Sequence, residues 1–329
     1  MSDLDTARKT FILARGNYAA PTEEVFPSTP ASILNFNPAY PKNRLGLSQW
    51  LFDKNNTLTA RVYVNRIWQE FFGRGLVKSS ADFGMQGDLP THPALLDWLA
   101  IDFRDHGWNI KRLVKQIVLT ATYQQSSKIS PEKLKNDPLN VYLSYAPRVR
   151  YSAEFIRDIV LSSSGLLNPS IGGPSVKPYQ PPGLWELATS GRGILRKYVQ
   201  DTGQLLYRRG MYTFIKRTVP PPSMMMFDAS NRDECQVNRY RTNTPLQALI
   251  MLNDPTVLEA SKALADKLLQ KSSDEKQIVN QAFQRILCRK PNDVEISNLL
   301  VYLQETKKEL KANQTKVAKI IAVGKYVPL

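Results

Sequence analysis

The chain has 329 residues, enough for two ordinary domains or one large one, and its 42% hydrophobic and 22% charged residues exclude a wholly disordered polymer. Lys and Arg outnumber Asp and Glu by 44 to 29, a formal charge of +15, which favours anionic partners: nucleic acid, phosphorylated or sulfated polymers, acidic proteins or lipids. Two cysteines (Cys235, Cys288) and two histidines (His92, His106) exclude a disulfide scaffold, a cysteine-built zinc or iron–sulfur site and a three-histidine metal site. With no C-x-x-C-H, the chain cannot attach a c-type haem by itself.

Residues 1–43 read as an extended lead-in. Met1-Ser2-Asp3-Leu4-Asp5 lacks the basic start and apolar run of a signal peptide, and Pro21, Pro27, Pro30, Pro38 and Pro41 disfavour helix around them. A helical domain is expected from 44 to 329, with a short helix over 44–51 at its start. A stronger helix follows, capped by Thr59, with Val64, Ile67, Trp68 and Phe71 on one face and Gly73 at its end. In 91–123, Pro93 suits a first turn capped by His92 or Thr91, and Leu95, Leu96, Trp98, Leu99 and Phe103 supply the apolar face. Gly107 and Asn109 then punctuate an αα-hairpin whose second helix carries Ile110, Leu113, Val114, Ile117 and Val118.

A helix over 152–163 points Phe155, Ile156, Ile159 and Val160 inward and holds Glu154 in its first turn, where the dipole favours a carboxylate. Residues 164–206 carry seven glycines and five prolines. Their aromatics, Tyr179, Trp185 and Tyr198, argue for an ordered, irregular wall rather than disorder. The stretch 207–217 is the best strand candidate, the small β element of an otherwise mainly α, multi-helix fold. Thr244-Pro245-Leu246-Gln247 is a capping box with proline at the first helical position. From Asp254 onward the chain reads as amphipathic helix: 257–269, 275–287 and 294–310, with a final lysine-rich segment breaking at Gly324. Cys288, after Ile286 and Leu287, reads as buried.

Several ordered phrases then resemble the planctomycete-type DUF1553 family, a domain of unknown function. They are Arg44-Leu45-Gly46-Leu47, residues 58–68 (LTARVYVNRIW), residues 71–77 (FFGRGLV), Ala81-Asp82-Phe83-Gly84 and Pro90-Thr91-His92-Pro93. They continue through residues 121–127 (ATYQQSS), Gly172-Gly173-Pro174-Ser175-Val176, residues 216–222 (KRTVPPP) and residues 241–249 (RTNTPLQAL). The resemblance covers roughly 15–329. It implies an exported protein of the bacterial envelope or periplasm, in which this segment follows a DUF1549 domain and often a c-type cytochrome domain. On that reading the chain is an excised C-terminal module ending early. It carries no cofactor of its own, and a c-type haem is expected in the fused or partner domain. The resemblance transfers no activity and no catalytic residues.

Seven cations (Arg208, Arg209, Lys216, Arg217, Arg232, Arg239, Arg241) face three acids between 207 and 241, interleaved with Tyr207, Tyr212, Phe214 and Tyr240. Arginine grips carboxylate, sulfate or phosphate bidentately, while aromatics stack on sugar or base faces. With the wall before it, this segment would make a cationic cleft; the alternative is an internal salt-bridge lattice with a solvated basic face. The ligand-binding candidates are Arg208, Arg209, Tyr212, Lys216, Arg217, Arg232, Arg241, Asn243, Trp185, His92, Glu154 and Asp158. Glu154 and Asp158 share a helix face at i, i+4 and could pair for acid–base work, or be bridged by Arg157.

No P-loop, G-x-G-x-x-G, G-x-S-x-G or H-E-x-x-H occurs. The leading expectation is a non-haem module whose basic–aromatic segment recognises an anionic or polyhydroxylated ligand, such as a polysaccharide, for the attached cytochrome that the resemblance implies. The alternatives are a structural docking module for that cytochrome domain and, ranked last because export separates it from DNA, nucleic-acid binding through Lys111, Arg112 and Lys115.

Overall fold

The computed structural model describes residues 8–190, 192–193, 195–230 and 232–327, and among them regular structure is almost wholly helical, with thirteen α-helices and one two-stranded sheet. The chain packs as two compact units, Met1–Val149 and Arg150–Leu329.

The sheet lies within residues 1–43, read above as an extended lead-in. It pairs β1 (Thr10–Leu13) antiparallel with β2 (Pro21–Val25), Thr10 opposite Val25, with an irregularity between Phe11 and Leu13. Arg15 and Gly16 take the left-handed conformations of the turn, and the Ala14 amide closes it on the Ala20 carbonyl at 2.9 Å. The stretch 207–217 is not a strand, which corrects the expected position of the β element. It forms 3-10 turns at Gly203–Tyr207 and Gly210–Tyr212, tied down by single bridges: Asn168 to Arg208, Val176 to Thr213 and Lys216 to Val219. Its neighbour along the wall contains Pro169, Pro174 and Pro178, which have no amide to donate, so no ladder can propagate.

In the first unit, α1 (Arg44–Leu51), α2 (Thr57–Phe72), α3 (Pro93–Asp105), α4 (Ile110–Val118) and α5 (Pro131–Asn136) follow in order. Asn56, not Thr59, caps α2: its side-chain oxygen accepts the amides of Leu58 and Thr59, and Gly73 ends the helix in the left-handed region. The αα-hairpin of α3 and α4 forms as expected, with Asn109 capping α4. Val64, Trp68, Phe72, Leu76, Leu96, Leu99, Phe103, Leu113 and Ile117 make the core, with Ile67 and Phe71 at its margin. Trp98 departs from the expected face, standing 56% exposed, because α3 buries Leu96, Leu99, Ala100 and Phe103 instead. Asn65 is fully buried beneath the turn after α2, exchanging hydrogen bonds with Val77 in both directions at 2.8 and 3.0 Å.

The second unit contains α6 (Ala153–Ser164), α7 (Leu184–Thr189), α8 (Pro222–Met225), α9 (Pro245–Asn253), α10 (Pro255–Leu269), α11 (Glu275–Leu287), α12 (Asp293–Ala312) and α13 (Gln314–Ile321). The capping box at Thr244 and Gln247 forms. α10 packs on α6, α9 and α11. Phe155 points outward at 53% exposure, against expectation, since α6 buries Ala153, Leu161 and Ser164. The wall is ordered around Trp185, whose buried ring meets Tyr198 and Phe214 at centroid distances of 5.1 and 5.7 Å. Cys288 is exposed rather than buried, and both cysteines are free thiols.

Candidate functional site

The arginine-rich segment is knitted into its own unit. Arg208 is 4% exposed. Its guanidinium donates to the carbonyls of Ser170 (3.0 Å), Gly172 (2.5 Å) and Pro174 (3.2 Å) and lies 3.8 Å from the centroid of the Tyr212 ring. The Tyr212 hydroxyl accepts the Gly172 amide at 2.7 Å, so cation, ring and loop fix one another. Lys216 donates to the Leu195 carbonyl at 2.8 Å and sits 4.5 Å from the Trp185 ring.

Two candidates on α6 anchor the same segment. Glu154 accepts from Arg239 at 2.7 Å, and Asp158 accepts the Gly210 amide at 2.6 Å with Arg209 3.8 Å from its other oxygen. Gly210 is required there, since a Cβ would lie 2.7 Å from the Cα of Glu154. The two carboxylates therefore hold two different stretches of backbone and cation, rather than forming an acid–base pair. Arg217 pairs at 3.9 Å with Asp233, both largely exposed, a contact of little energetic weight. Arg232 and Asn243 are exposed and Arg241 is half-buried. His92 belongs to the first unit, at the start of α3. Its Nδ1 lies 2.9 Å from Thr91 Oγ1, and it makes no side-chain cap. In the same unit Arg112 bridges to Asp102 at 2.6 Å, which removes one cation from the proposed nucleic-acid face of α4.

Burial pushes the pKa of Glu154 up, but the hydrogen bond and charge of Arg239 outweigh it and hold the carboxyl below its usual range. The folded pKa thus lies below the unfolded one of about 4.3. The stabilisation is fully present above that value and is lost as pH falls through the folded pKa. Thermal melts of the second unit are expected to lose stability below about pH 4, and Glu154→Gln should flatten that fall. Parallel acid profiles for the two proteins would reject the assignment.

A second cluster escapes any reading of charge runs. Glu259 is 0% exposed, and its Oε1 accepts from the hydroxyls of Tyr179 (3.1 Å) and Tyr207 (3.0 Å) and from the backbone amides of Lys325 and Tyr326. Burial, then the Glu259 charge, raises the pKa of both phenols. Nearby, Arg157 donates to the Leu206 carbonyl at 2.6 Å and approaches Thr256 Oγ1 at 3.4 Å. Its own pKa is lowered by burial against the charges of Asp254, Asp158 and Glu259. Sequence did carry a signal for Glu259: it falls in register with Thr256, Ala260, Ala263 and Leu264, the buried face of α10.

Arg157, Ser223, Asp254 and Thr256 line a cavity of about 50 Å³ with Met224 and Phe227. That is room for a few waters and far below the ~150 Å³ a benzene-sized guest fills. Asp254 is already engaged in capping α10 through the Thr256 amide at 2.8 Å. Among the described residues no group of three or more His, Cys, Asp or Glu could hold a metal ion, and no helix is long and apolar enough to cross a membrane.

One family model matches the chain: PSD1, described as a protein of unknown function (DUF1553), over residues 43–303. No curated protein and no solved structure matches.

Proposed function

The chain belongs to the PSD1 family of proteins of unknown function (DUF1553), and we propose that it is a structural docking module that holds an acidic partner surface by charge complementarity. The partner we propose is a c-type cytochrome domain, fused or separate, in the bacterial envelope. One observation carries this reading: the cations best placed to grip a small anion are already used. Arg208 is spent on three carbonyls, Arg239 on Glu154 and Lys216 on a carbonyl and a ring. What remains is a broad excess of charge, +15 over the chain, which steers and orients an acidic surface rather than enclosing a ligand.

The chain should bind an acidic c-type cytochrome domain at low salt and lose affinity on the order of tenfold as salt is raised. A Glu substitution at the exposed Arg217 should weaken binding further without lowering the melting temperature. Absence of binding at low salt would reject the proposal.

Recognition of an anionic or polyhydroxylated ligand is the second reading. It is favoured by the Tyr240 ring, 82% exposed in the basic segment, and by the exposed Arg232 nearby in sequence. A glycan array including sulfated and uronic-acid polymers separates the two, since a specific hit lost in Tyr240→Ala would replace docking by ligand recognition.

A further inference from the structure

α10 grips the segment after α13 with three charged side chains on one face, at i, i+3 and i+7. Glu259 accepts the amides of Lys325 and Tyr326, Lys262 donates to the carbonyls of Ile321 and Val323 at 3.0 Å each, and Asp266 accepts the Tyr326 hydroxyl at 2.7 Å. Gly324 adopts φ +83°, and a Cβ there would lie 2.6 Å from Cδ of Glu259. The grip thus reads backbone amides and carbonyls, a glycine and a tyrosine hydroxyl. These are the elements of peptide recognition.

The segment is held mainly by this polar grip. None of the residues of α11, α12 and α13 is buried; α11 rests half-buried on α10 and α6, so the arm that delivers the segment is held less firmly than the core helices. The seat, by contrast, is preformed: Glu259 is fixed by Tyr179 of the wall and Tyr207 just after it, neither of them in the arm, and its Oε2 has no hydrogen-bond partner among the described residues.

We propose that this face of α10 is a peptide-binding site, occupied here by the chain's own residues 321–326, that takes the same segment from a second copy of the chain. Exchange of an identical element replaces each contact by its equal, so opening of a weakly packed arm suffices to make a dimer.

The test uses the full chain carrying Gly324→Val, in which the resident segment cannot seat, and a synthetic peptide spanning residues 314–329. By fluorescence anisotropy the variant should bind the peptide at least tenfold more tightly than the unaltered chain, whose site is filled. Adding Glu259→Gln should cost at least another tenfold. Light scattering of the unaltered chain should show dimer growing with concentration and lost in Gly324→Val. A folded Gly324→Val chain that binds no peptide overturns the site. Peptide binding by a chain that stays monomeric throughout keeps the site and overturns the second copy as its partner. Should Gly324→Val not fold, hydrogen exchange on the unaltered chain decides. Amides of Lys325 and Tyr326 that exchange faster than those of α10 show the opening the site needs, and equal rates overturn it.

Discussion

Arg208→Ala is expected to destabilise the second unit by about 3–5 kcal/mol, combining charge-assisted hydrogen bonds with a desolvated cation–π contact. Among the described residues Arg208 has no carboxylate partner within salt-bridge distance; its charge is balanced by three carbonyl dipoles of the wall and the face of Tyr212. Truncation leaves those carbonyls facing a void, in the stretch of the wall between the Asn168 and Val176 bridges that the Tyr212 hydroxyl alone would then hold. At roughly 2–4 °C per kcal/mol for a unit of this size, the melting temperature should fall by about 10 °C. Lysine should recover less than half of the loss, because one ammonium cannot reproduce a planar fork that reaches three acceptors. Arg217→Ala, at an exposed pair, should change stability by less than about 1 kcal/mol. Equal effects at 208 and 217 would mean that Arg208 is not a structural cation, and would return it to the pool of ligand-binding residues.

The contrast between these arginines explains how far the sequence could be read. Helix starts were legible because their causes are local: Asn109, the Thr244 box and Asp254 each satisfy amides within three residues of themselves. The partners of Arg208 lie 34 to 38 residues back in the chain. A run of cations looks the same whether it faces solvent or its own loop. Trp98 and Phe155 failed for a related reason: helical periodicity defines a stripe, but the neighbouring helix decides which of two adjacent stripes is covered. The β1–β2 hairpin escaped because its residues are almost all exposed, so no alternation of apolar and polar residues marked it. Glu259 was visible as an acid in an apolar register, a pattern that scanning for clusters of charge passes over.

That acid carries the other large expected effect. Glu259→Ala should destabilise the second unit by about 4–5 kcal/mol, since two phenols and two backbone amides lose their shared acceptor inside a fully buried site. Glu259→Gln keeps the volume and one acceptor oxygen but removes the charge that strengthens all four bonds, so about 2 kcal/mol is expected. The two variants also separate in alkali. Burial first, and the Glu259 charge second, raise the folded pKa of Tyr179 and Tyr207. The unfolded chain therefore releases protons near pH 10 that the folded one retains. Stability from these groups is complete below that pH and drains away as pH rises through the folded values. Glu259→Gln removes the charge but leaves the burial, so its alkaline loss of stability should be shallower than that of the unaltered chain, yet still present. A glutamine variant with an unchanged alkaline profile and an unchanged melting temperature would show that Glu259 is not the acceptor on which the wall and the segment after α13 converge.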